Sequence, residues 1–155
     1  MSIDPTERDA LFVAGFALAE GIERASAQLA LRATLVVQHA SGMQCIPLTE
    51  GPGAMARASV LLHAVADSHP VAALLEEQVV AGQRSMQVSA WVDGEWRFQI
   101  DLPFRSGPRL HLQPERIWRG LRRKSDVPHA LDALYSGVST HPGGLRAWAA
   151  AEVEV

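Results

Sequence analysis

Apolar residues recur near the N-terminus at the spacing of one helical face, at Leu11, Leu18, Ile22, Ala25 and Leu29. Ahead of them, Asp4-Pro5-Thr6-Glu7 reads as a helix start. Asp4 is the cap, Pro5 fits the first turn and Glu7 can reach back to the cap amide. The pattern predicts one long amphipathic helix to about residue 28. Gly15 and Gly21 each weaken such a helix by ~1 kcal/mol relative to alanine, which suggests close approach of a neighbouring element.

The period then changes to that of strands. Ala33 to His39 and Met43 to Leu48, separated by Ala40-Ser41-Gly42, read as a hairpin, with Pro47 at a strand end or an outer edge. Gly51-Pro52-Gly53 breaks the chain before a helix from about Ala54 to Ala66. A second helical segment is expected from Pro70, capped by Ser68 or His69 and stopped by Gly82.

The clearest alternation follows. Met86, Val88, Ala90 and Val92 alternate with polar partners and Trp91, and Trp96, Phe98, Ile100 and Leu102 do the same beyond Asp93-Gly94. A two-residue turn at Asp93-Gly94 would pair Trp91 with Trp96 and mix the two faces further along. Keeping one face apolar requires the odd loop Asp93-Gly94-Glu95 or an equivalent bulge, with Val92 opposite Trp96, Ala90 opposite Phe98 and Val88 opposite Ile100. Leu110-His111-Leu112 extends the hairpin to a three-strand meander. Helices are expected again over Pro114 to Lys124, from Val127 to a stop at Gly137, and after His141-Pro142-Gly143-Gly144.

The order α-β-β-α-α-β-β-β-α-α-α predicts one α+β domain over residues 1–155, its antiparallel sheet formed from the hairpin and the meander and packed with helices. A similar order of elements occurs in roadblock-type regulatory domains and in the small chaperones of type III secretion. No motif residue singles out either group, and the chain lacks the strongly acidic balance of such chaperones.

Composition narrows the class. The chain has 155 residues, enough for a full core, and its 48% hydrophobic and 20% charged content is that of a folded protein rather than a disordered one. The N-terminus is acidic where an export signal would be basic, and no apolar run approaches the ~20 residues of a membrane span, so a cytoplasmic location is expected. Cys45 is the only cysteine. That rules out an internal disulfide, and its apolar surroundings predict a buried, inert thiol.

Catalytic signatures are missing: the chain holds no nucleophile elbow, phosphate loop, dinucleotide fingerprint or HExxH. His63 and Asp67, four apart on a predicted helix with His69 beyond, form the best metal-like grouping, but they supply only part of a zinc ligand set. No metal or cofactor is expected, and a metal-dependent enzyme around His63 and Asp67 ranks third among the functional readings.

Charge is the strongest signal. Residues 105–124 contain Arg105, Arg109, Arg116, Arg119, Arg122, Arg123 and Lys124 against Glu115 alone, a net of +6, while the rest of the chain carries −9 to give the total of −3. A patch of one sign steers partners of the other. Trp118 lies within it, and Trp91 falls on the polar face of its strand beside Arg97, where it is either a contact residue or covered by a helix or the chain terminus. These residues predict a non-enzymatic interaction domain of adaptor, chaperone or inhibitor type that binds an acidic protein and self-associates as a homodimer. A nucleic-acid-associated protein using the same stretch is the alternative, weakened by the scarcity of aromatics for base stacking.

Overall fold

A computed structural model describes residues 5–39, 41–48, 53–64, 70–114, 116–118 and 127–153. The chain runs α1 (Pro5–Ser26), β1 (Thr34–His39), β2 (Gly42–Pro47), α2 (Ala54–His63), β3 (Ala72–Val80), β4 (Gln83–Val92), β5 (Glu95–Arg105), β6 (His111–Leu112), β7 (Arg116–Trp118), α3 (Val127–Ser139), α4 (Pro142–Ala150) and β8 (Glu152–Val153). This is an α+β protein. Among the described residues, eight strands form one sheet in the order β2-β1-β3-β4-β5-β6-β8, with β7 also on β5, and every pairing is antiparallel except β6 with β8.

The expected hairpin forms β1 and β2. Pro47 closes β2 at the outer edge of the sheet, where its missing N–H breaks no ladder. The Glu7 carboxylate, expected to reach back to the Asp4 amide, meets Arg97 at 2.9 Å. Asp4 lies outside the described residues.

The segment expected to be a helix from Pro70 to Gly82 is instead β3, held between β1 and β4. Ala72, Ala73, Leu74 and Leu75 are all buried, two toward each face of the sheet. A strand buried on both faces has no alternation to betray it, and an Ala-Leu-Glu run favours helix until neighbouring strands claim its backbone. Gly82 is no helix stop. With Ala81 it forms a two-residue turn, both residues at positive φ, joining β3 to β4.

The β4–β5 register combines the two sequence-based alternatives. Asp93 and Gly94, at φ 50° and 84°, make the two-residue turn, so Trp91 faces Trp96 rather than Val92 facing Trp96. Arg97 is then skipped as a bulge, after which Ala90 faces Phe98 and Val88 faces Ile100 as the apolar pattern requires. The odd loop is not used; the bulge performs its function.

The helix expected over Pro114 to Lys124 is not present at residues 116–118, which pair with β5 as β7. Pro114 sits in the gap between β6 and β7, where a residue without an N–H interrupts the ladder at least cost. Residues 119–124 lie outside the described residues. Gly137, expected as the end of α3, lies inside it.

Helix α1 packs on one face of the sheet, with α3 and α4 lying against it. Enclosed in this way, it is apolar nearly all round; Ala10, Leu11, Val13, Ala14, Ala17, Leu18 and Ile22 are fully buried. Gly15 and Gly137 are where the α1 and α3 backbones meet. A Cβ on Gly15 would overlap the Leu134 carbonyl, and one on Gly137 the Phe12 carbonyl. Helix α2 covers part of the other face through Ala54, Ala58 and Leu62, over Leu35, Val37, Ala72, Leu74 and Trp91.

Candidate contact surfaces

The basic segment begins where β5 ends. Arg105 is exposed, and Ser106, Gly107 and Pro108 continue the exposed loop. Beside this loop lies an open recess of about 560 Å³ lined by Ala25, Leu29, Arg84, Ser106 and neighbouring residues. Leu29, read from the sequence as part of the helix stripe, lies beyond the end of α1 and is 51% exposed. Arg84 lies over the Phe104 ring at 4.7 Å, donates to Ser106 at 2.8 Å and pairs with Glu77.

Arg109 is engaged within the fold. Its guanidinium donates to the Ala150 carbonyl at 2.9 Å and lies 3.7 Å from Glu152. A cation at the C-terminal end of α4 suits the helix dipole, and Glu152 gains His111 as a second neighbour at 3.6 Å. These contacts fasten β8 to β6. Arg116 and Trp118 stand in β7, opposite Asp101 and Gln99 in register. Arg119, Arg122, Arg123 and Lys124 lie outside the described residues.

Trp91 is 3% exposed and drops out of the contact surface. It stands between His63 of α2, rings edge-on at 5.1 Å, and Trp96 at 5.0 Å. Trp96 donates from Nε1 to Ser59 Oγ at 2.9 Å, which ties β5 to α2. The covering-helix alternative is therefore the one realised. His63 is exposed and packs on Trp91, while Asp67 and His69 lie outside the described residues. Among the described residues, no three His, Cys, Asp or Glu side chains come together as a metal-binding group.

Past the reach of α2, the same face of the sheet is polar. Glu76, Gln87 and Asp101 share one cross-strand row and are all half-buried. Burial pushes the Glu76 carboxyl above the usual carboxylate range, and nearby Arg57 pulls it partly back.

Two features escaped the sequence reading. The first is His141. It caps α4 by accepting the Gly144 N–H at Nδ1, 2.8 Å, so the ring proton is on Nε2 and is donated to Glu20 at 2.8 Å. Both ring nitrogens are occupied, and the residue fastens α4 to α1. The proline after it was the available signal.

The second is the β2 edge. Cys45, expected to be buried, is exposed there, because no strand lies outside β2 among the described residues. Partial burial of the thiol and then the nearby Glu20 carboxylate push its pKa up, so it is a poor nucleophile at neutral pH. Beside this edge a groove of about 330 Å³ is lined by Phe12, Phe16, Gln38, Gly42, Met43 and Thr140, none of them charged.

No described helix is long and apolar enough to cross a membrane. In comparisons with known proteins, no family model, no curated protein and no solved structure matches this chain.

Proposed function

We propose that the chain is a non-enzymatic cytoplasmic interaction domain, of adaptor, chaperone or inhibitor type, that binds an acidic protein segment through residues 105–124. The observation that carries this reading is the surface where the basic segment begins. Exposed Arg105 adjoins a recess with the exposed aliphatic Leu29 and the cationic Arg84 on its walls. A protein segment that mixes acidic and apolar side chains satisfies both features. A nucleic acid satisfies only the charge, since among the described residues no aromatic lines the recess to stack a base.

The test compares two probes by fluorescence anisotropy across a salt series: a glutamate- and leucine-containing peptide and a single-stranded DNA oligonucleotide. The peptide is expected to bind better. Replacing Arg119, Arg122 and Arg123 by Ser is expected to slow its association at low salt and flatten the salt dependence, with the fold retained. An unchanged association rate would reduce the basic stretch to a solvated surface. Micromolar DNA binding at physiological salt, with the peptide no better, would award the function to the nucleic-acid alternative.

A further inference from the structure

The other end of the sheet has the opposite character. In β1, Gln38 donates its N–H to Val71 on the β3 side, and just past β2, Leu48 donates its N–H to Ala33. Strand alternation then turns the N–H and C=O groups of Gly42, Gln44 and Ile46 toward β1, and those of Met43 and Cys45 outward. Pro47 also faces outward but has only a carbonyl to offer. Among the described residues, these outward groups meet no strand.

An edge exposed in a monomer is ordinarily guarded by lysines, inward charges or bulges. Gly42-Met43-Gln44-Cys45-Ile46-Pro47 carries no charge at all, and its only guard is the terminal proline. The adjoining groove of Phe12, Phe16 and Met43 is uncharged too.

We infer that β2 is a self-association surface: two copies of the chain pair their β2 strands antiparallel about a two-fold axis through Gln44. The proposed partner of the basic segment plays no part in this, since the described part of that segment, through β6 and β7, lies at the far side of the sheet. A two-fold contact places each group against its own symmetry mate, so a charge on the strand near the axis would meet its like, and the strand carries none. The register follows from the proline. With Gln44 opposite Gln44 of the second copy, Met43 faces Cys45, and the outward amides and carbonyls of both residues are all satisfied. Pro47 then falls opposite Ser41, whose N–H can reach the proline carbonyl. Centring on Cys45 would instead set the Met43 carbonyl against the proline's missing N–H. An acidic segment is a poorer occupant, because the Glu20 carboxylate acts on Cys45 and the strand holds no lysine or arginine to offset it.

Sedimentation velocity of the full chain over a concentration series tests the inference, and a dimer is expected. Cys45→Pro removes an outward N–H while sparing the ladder to β1, and Gln44→Lys sets two charges against each other on the axis. Each is expected to weaken the dimer by roughly a hundredfold or more, with the parent's circular dichroism retained. Gln44→Cys in a Cys45→Ser background is expected to form an interchain disulfide under mild oxidation more readily than Cys45 of the parent. A parent that stays monomeric at ~100 µM, where a specific dimer of even modest affinity is populated, overturns the inference. So does a dimer that Gln44→Lys leaves intact, which decides the matter should Cys45→Pro fail to fold. Faster cross-linking of the parent than of the Gln44→Cys, Cys45→Ser variant would overturn the register.

Discussion

The two faces of the sheet are held by different physics. On the α1 face the helix backbone comes close to β1, β3 and β4, and glycines let α3 come close behind it. Contacts there are many and individually small, spread over alanines, valines and leucines of the helices and strands together with Met86, Phe98, Ile100 and Phe104 of the sheet. On the α2 face the helix backbone makes no comparably close approach, and large side chains span the gap: Trp91 between His63 and Trp96, with Ser59 hydrogen-bonded to Trp96. Close packing spreads stability over many residues, whereas bridging concentrates it in a few.

The sharpest way to break this contrast is at the bridge. Trp91→Ala is expected to cost ~3–5 kcal/mol, the range for emptying a large aromatic site. Because the loss is local to α2, hydrogen exchange of the α2 amides should accelerate ahead of those of α1. Uniform acceleration across both helices would show that α2 is not separately held.

Gly137→Ala probes the other face. In a solvent-exposed helix this change stabilises by up to ~1 kcal/mol. Here the added methyl overlaps the Phe12 carbonyl, so the sign reverses and a loss of ~3 kcal/mol is expected, read by denaturant unfolding. The loss should be global, with α1 and α3 opening together. A variant as stable as the parent would mean that the helices can separate at no cost.

The smallest effect belongs to the polar part of the α2 face. The Glu76 carboxyl is raised by burial, so the fold favours its neutral form. The associated stability is present below the unfolded pKa and is lost as pH rises through the folded value. Glu76→Gln should therefore equal or exceed the parent in stability at pH 7, by less than about 1 kcal/mol given its partial exposure. The advantage should vanish near pH 3, as thermal melts at the two pH values would show. A variant less stable than the parent at pH 7 would make attraction to Arg57 the larger effect.

The contrast between the faces also marks what could be read in advance. Met86 to Leu102 announced its strands because one face is apolar and the other polar, and the first hairpin did so through its flanking turns. Gly15 and Gly21 hinted at close packing, and the charge of residues 105–124 is a property of composition alone. Trp91 was ambiguous, because alternation reports which side of a strand a residue takes and not whether a helix lies over that side.

What the chain determined by itself is the α+β class, the strand periods and the separation of charge, since each depends on residues near one another along the backbone. Tertiary structure decided the rest. It made Ala72–Val80 a central strand by supplying β1 and β4 on either side, outweighing the helical preference of Ala, Leu and Glu. It drew Arg116–Trp118 onto β5, placed Trp91 beneath α2, and left Cys45 on an open edge. In each case the deciding term is burial or hydrogen bonding against residues distant in sequence, and no local pattern encodes which distant partner will arrive.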